Sequence, residues 1–264
     1  MEVHHHSHLA SNETHTSDPG LRRGRRKWTE YFWEFLMLFL AVTLGFFVEN
    51  QREHYIEHIR EKKYIQSLFN DLKADTVAIE DLDERKRNVC KMIDTVIMLL
   101  KGDSRKSASS RIYYLVRKIP YSEGRFSFST KTYEQLKNSG NLRLIRNTSV
   151  LDMISDYYHD ADNSATRGPL DMNFENRHDL YLSVQKLFDA GVFHKMMDAD
   201  DPFVFSEPPG HPPLLTEEPI IINEICTRLH FMYGTHRVIM ADNERLRVKA
   251  IELMKKLQQE YHLK

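Results

Sequence analysis

The residues of this chain that could do chemistry are few, and each set lacks a part. Asp160 to Asp171 (DADNSATRGPLD) carries acidic or hydroxyl groups at positions one, three, five, seven and twelve, as a helix-flanked calcium loop does. That loop needs a glycine at its sixth position; this segment has none there, puts Arg167 where an apolar residue belongs, and carries Pro169 late. The reading that fits better is a break between two helices. His159, with Asp156, Asp160 and Asp162 nearby in sequence, has the donors for a metal or a general base, but no second His at helical spacing and no nucleophile motif accompanies it. His4, His5, His6, His8 and His15 could hold a divalent cation through neutral imidazoles, yet weakly, because MEVHHHSHLASNETHTSDPG has no periodicity from which to build a scaffold. Cys90 and Cys226 are too few for a four-cysteine zinc site or a disulfide-dense scaffold. No catalytic, cofactor-binding or metal-ligating residue is therefore expected, and the chain reads as non-enzymatic.

One carboxylate stands apart, because the stretch that carries it organises the rest. Between Tyr31 and Val48 (YFWEFLMLFLAVTLGFFV) Glu34 is the sole ionisable side chain besides the Tyr31 phenol. A helix over 28–48 would be about 31 Å long, enough to cross a hydrocarbon core. Trp28, Tyr31 and Trp33 are placed as interfacial aromatics. Glu34 lies about one and a half turns inside Trp28, from where it can snorkel toward headgroups and the cations at Arg26 and Lys27. A cleaved signal peptide is the competing reading, but no A-x-A-like site follows Val48 and the leader is long. A buried core helix would need surrounding apolar protein that this strongly amphipathic chain does not supply. Arg22, Arg23, Arg25, Arg26 and Lys27 precede the run, against Arg52 alone in the ten residues after it, which predicts a cytoplasmic N-terminus and a translocated C-terminal portion. Ala41 and Gly45 form a small-xxx-small pair, a pattern too common to specify a dimer.

The remaining elements read as helix. From Glu49 to Lys101 there is neither Gly nor Pro, and Ile65, Leu68, Leu72, Ile79, Leu82, Val89, Ile93, Val96 and Leu100 recur at steps near three and four, with Asp75 and Lys86 interrupting. A helical middle (108–190) follows. Pro120 ends a short helix that begins near Arg111; Ser129 or Thr130 starts another that Gly140 stops, and Asn147 or Thr148 caps the next. Leu136, Leu142, Leu144, Ile145, Leu151 and Ile154 should pack that corner on the long helix. A helical pattern over 170–190 leads to a proline-rich linker (202–219) and a C-terminal helix (220–262) whose seam holds Ile222, Ile225, Leu229, Met232, Ile239, Leu246, Ala250, Leu253 and Leu257, with His236 and Asn243 as polar members. The fold class expected is all-α: an N-terminal transmembrane helix continuing into a long amphipathic helix, within an antiparallel, coiled-coil-like helical bundle. A register pairing Ile65 with Leu257 and Leu100 with Ile222 leaves Cys90 and Cys226 about 9 Å apart along the axis, too far for a disulfide.

KWTEYFWEFLMLFLAVTLGFFVENQREHYIEHIREKKYIQSL and TYEQLKNSGNLRLIRNTSVLDMISDYY resemble a family of uncharacterised bacterial single-span membrane proteins, a domain of unknown function, and the His-rich opening is similar to members of that group. The resemblance covers about half the chain and implies a bacterial inner-membrane protein, and it brings no known activity, cofactor or catalytic residue. Lys plus Arg (37) nearly cancels Asp plus Glu (38), so no basic field favours nucleic acid as a partner. The expected partners are the lipid bilayer and a protein partner or a second copy of the chain. The expected role is protein interaction or envelope organisation from an extracytoplasmic domain (49–264). The alternative is a signalling or ion-coupled transport accessory acting through the transmembrane helix and Glu34.

Overall fold

The computed structural model describes residues 28–122, 127–166, 169–201 and 204–263, with side chains described outside 165–174. The leader (1–27) expected to be disordered, with its histidines and with Arg22, Arg23, Arg25, Arg26 and Lys27, lies outside the described residues. The described residues are all-α, with seven helices and an isolated β-bridge between Met197 and Phe205. Two compact units divide the chain at Tyr55.

In the first unit the described residues form the opening of helix α1 (Trp28–Lys101), long and apolar enough at 28–48 to cross a bilayer. Its apolar side chains are exposed from Trp28 to Val48 apart from the half-buried Leu36, in contrast to a core helix. Sequence explains the helix directly: no Gly or Pro interrupts it except Gly45, whose added Cβ would meet open space.

The second unit is a helical bundle built on α1 and α7 (Pro219–Tyr261). Pro219 opens α7 at its first turn, where a missing N–H costs nothing. Three hydrogen bonds fix the two as antiparallel: Tyr261 to Glu61, Asn243 to Asp83 and Lys101 to Asn223. Each lies within about one helical turn of the register set by the two apolar seams. Around this pair pack α2 (Ser109–Lys118), α3 (Lys131–Asn138), α4 (Thr148–Thr166), α5 (Pro169–Leu187) and α6 (Ala190–Lys195). Helices α4 and α5 lie directly against α7, tied by Lys249 to Asp160, Lys186 to Glu224 and Arg228 to Asp179. The α7 seam is thus shared among several helices.

The corner between α3 and α4 follows its local chemistry. Gly140 has φ +69°, the left-handed conformation glycine adopts without a Cβ penalty, and the Asn147 side chain accepts the Val150 N–H as the cap of α4. Leu136, Leu144, Ile145 and Ile154 are buried there, with Leu142 and Leu151 half-buried. Thr130 precedes α3 but makes no side-chain cap bond. The expected helix over 170–190 breaks sooner, at Phe188, because the Asp189 side chain accepts the Val192 N–H and starts α6 as a separate element. The proline-rich stretch does more than connect. It straps across α2, where Ser110 donates to the Pro208 carbonyl, Tyr113 to the Pro213 carbonyl, and Arg111 pairs with Glu207.

The core has two apolar clusters along the α1/α7 axis. One joins Ile65 to Ile79 of α1 with α3, α4 and Leu246 to Leu257 of α7. The other joins Val89 to Leu100 with α2, Leu180, Leu187 and Ile222 to Met232. Cys90 and Cys226 are both free thiols, buried, and pushed up by that burial, which makes them poor nucleophiles and poor ligands.

Candidate functional site

Between the two apolar clusters the α1/α7 seam turns polar, and this layer is the most unusual chemistry in the described residues. Asp83, Lys86, His236 and Asn243 are all buried. Periodicity admits two seams here, since steps of three and four reach either Leu82 or Asp83 from Ile79. The seam expected from apolar residues alone runs through Leu82. The structure corrects it: Leu82 is half-buried and Asp83 takes the seam, because Asn243 Nδ2 reaches it across the helix pair at 2.6 Å. A carboxylate is acceptable in a core position when a donor meets it there.

Burial pushes the Asp83 carboxyl up, and the Asn243 amide and Arg87 hold it back. His236 is held down to about 3 by burial, then by the neighbouring Lys86 ammonium. Its imidazole is therefore neutral at pH 7. Such a layer has a clear physical consequence: sliding α7 along α1 would set Asp83 and Lys86 against Leu or Ile, so the polar rung penalises other registers.

Two further carboxylates are built into the same face of α1. Asp75 accepts the Ser129 N–H at 2.8 Å and the buried Tyr157 hydroxyl at 2.9 Å. Burial pushes its carboxyl up against both bonds. Glu61 Oε1 accepts from the Tyr261 hydroxyl at 2.7 Å and the Arg146 N–H at 3.1 Å, tying the end of α7 and the α3/α4 corner to one side chain. Sequence reading placed Asp75, Lys86, His236 and Asn243 on the seams but missed Glu61, Asp83 and Tyr157. The four-residue steps from Glu61 to Ile65 and from Ile79 to Asp83 both continue the rhythm, so spacing held part of the signal.

His236 makes stability pH-dependent with a defined sign. In the unfolded chain it titrates near 6.5 and in the folded one near 3, so its contribution is complete above 6.5 and is lost as pH falls toward 3. Asp75 and Asp83, raised on folding, have the opposite sign: their contribution is complete at low pH and fades as pH rises through their folded values. We expect the thermal midpoint of the native protein to fall relative to that of His236→Gln between about pH 6.5 and pH 4.5, read by circular dichroism. Parallel pH profiles would rule out this role for His236.

The residues expected to anchor the chain sit as follows. Trp28 is 89% exposed, Tyr31 53% and Trp33 61%. Trp33 and Glu34 border a shallow groove on one face of α1 with Glu30, Met37, Leu38 and Ala41. Asp160, considered above as the start of a calcium loop, lies inside α4 and pairs with Lys249, so 160–166 is helix. His159 is exposed and bonds Asn163 one turn on. Among the described residues no group of three His, Cys, Asp or Glu is arranged to hold a metal.

No protein-family model, curated protein or solved structure matches this chain, so its site must be read from its own residues.

Proposed function

We propose that the protein is a single-span protein of the bacterial inner membrane, of the uncharacterised family its anchor and corner resemble. In this reading 28–48 is the membrane span, the basic leader stays in the cytoplasm, and the helical domain works in the periplasm as a non-enzymatic module for protein interaction or envelope organisation. The observation that carries the reading is the exposure of the apolar side chains from Trp28 to Val48. An exposed apolar surface of this length is unfavourable in water and is matched by a bilayer, where each helical N–H and C=O is already paired. Five cations on one side of the run supply the orientation. The interaction role is supported by three carboxylates on the buried face of α1 that are spent on internal partners: Asp83 on Asn243, Asp75 on Tyr157 and Ser129, Glu61 on Tyr261 and Arg146.

Reporter fusions at Lys264 test the topology. Active alkaline phosphatase and a dark fluorescent protein are the expected pair of results; the reverse pair overturns the orientation. Crosslinking in native membranes tests the role, with a specific protein or self-adduct expected. Monomer alone, recovered from intact membranes, would count decisively against an interaction module.

A further inference from the structure

The loop between α1 and α2 and the proline-rich strap enclose a cavity of about 400 Å³ that the reading above does not use. It is lined by Arg105, Lys106, Ser107, Ser109, His211 and Glu217. Its wall includes the N-terminus of α2, a helix of ten residues whose cap, Ala108, offers no side-chain acceptor and whose first turn has no acidic residue. Such a terminus carries about half a positive charge and favours an anion, and the Ser109 N–H of its first turn is held only by a long 3.4 Å bond to the Lys106 carbonyl.

An independent observation points to a ligand. Ser109 is 1% exposed, lines the cavity, and its Oγ has no hydrogen-bond partner among the described residues. The Nε of Arg105 is buried in the same condition, although Arg105 Nη1 donates to the Leu100 carbonyl at 3.0 Å. Buried donors are ordinarily paired, so two orphans beside one cavity call for an acceptor inside it. The charges agree. Two cations face one carboxylate, Glu217, which meets Lys106 at 2.8 Å and Arg105 at 3.9 Å and is itself about half exposed. Glu217 lies next to the start of α7, at the end of the strap, and can release Lys106 to a stronger anion by turning to solvent.

We propose that this cavity binds a phosphate monoester, its oxygens taking Arg105 Nε, Ser109 Oγ, Lys106 Nζ and the first-turn N–H groups of α2. A tetrahedral dianion suits this donor set better than a carboxylate does, since the donors converge from a helix end, a hydroxyl and two cations. The ester has two possible sources, a soluble metabolite or a lipid headgroup with a terminal phosphate, and the chemistry seen by the pocket is the same for both.

The test uses the full-length protein in detergent micelles, titrated calorimetrically with inorganic phosphate. Saturable binding of one phosphate per chain is expected, in the range of about 0.1–10 mM. Ser109→Ala should weaken it at least about tenfold, as loss of a hydrogen bond to a charged group does, while the folded helix content is unchanged. Arg105→Gln should abolish it. Glu217→Gln should tighten it several-fold by removing the competing carboxylate, a gain that general loosening of the fold could not produce. Displacement of phosphate by glycerol 3-phosphate assigns a soluble ester; displacement by micelles doped with phosphatidic acid and not by glycerol 3-phosphate assigns a headgroup. A water-filled cleft with no saturable binding, or binding indifferent to Ser109→Ala and Glu217→Gln, overturns the proposal.

Discussion

Tyr157→Ala is expected to destabilise the folded domain by about 3–5 kcal/mol, the range for emptying a fully buried aromatic site. Tyr157 is 1% exposed and lies edge-on to Tyr158 and Phe128 within the cluster that holds Leu68, Leu72 and Leu253. Its hydroxyl meets Asp75 at 2.9 Å, so truncation both opens a cavity and withdraws a donor from a buried carboxylate. Tyr157→Phe separates the two effects. It keeps the ring and should cost about 1–3 kcal/mol. It should also push the Asp75 carboxyl further above its ordinary range, because the hydroxyl is one of the bonds that hold it down. Thermal unfolding of the solubilised protein, followed by circular dichroism, measures both. If Tyr157→Ala and Tyr157→Phe unfolded together within error, the ring would not be packed as described.

The second large effect concerns the proposed anchor. Arg at Leu38 and Leu40 together should prevent stable membrane integration. Both positions lie near the middle of 28–48 and expose their side chains, 69% and 43% respectively. A central Arg costs about 2.5–3.5 kcal/mol on insertion scales, and two cost about twice that, comparable to the whole apolar gain of a span this short. Sodium carbonate extraction distinguishes the outcomes: native protein stays in the pellet, and the doubly substituted protein moves to the supernatant. Retention of the double variant in the membrane at native levels would mean that the run is held by something other than its own hydrophobicity.

A good part of the fold was legible in the residues, for reasons that are local. Helix identity follows from a long tract free of Gly and Pro, from apolar steps of three and four, and from breakers such as Pro120 and Gly140 at the ends. Antiparallel order of α1 and α7 is a consequence of matched apolar seams. The α6 break was less visible. Asp189 is a good cap, but whether a mid-pattern Asp caps or stays in a helix depends on what its own N–H meets, and here that is the Tyr113 hydroxyl, 76 residues away in sequence.

The phosphate cavity shows the same division. GDSRKSASS reads as a loop and SEPPGHPPLLTEEP as a connection, each from its own composition. That the two close on one another around Arg105 and Ser109 depends on Tyr113 and Ser110 catching the Pro213 and Pro208 carbonyls, about a hundred residues downstream. Pairings across that separation leave no trace in local pattern.

Residue by residue, then, the sequence alone determined an all-α chain, a helix apolar enough to span a bilayer, and two long seams with polar members. Tertiary structure alone decided which polar residues those seams would bury. Leu82 and Asp83 satisfy the helical period equally, and hydropathy favours Leu82. Asp83 goes inside because Asn243 stands opposite it on another helix, and a hydrogen bond to a carboxylate in a core is decided by the partner's position, which no local period encodes.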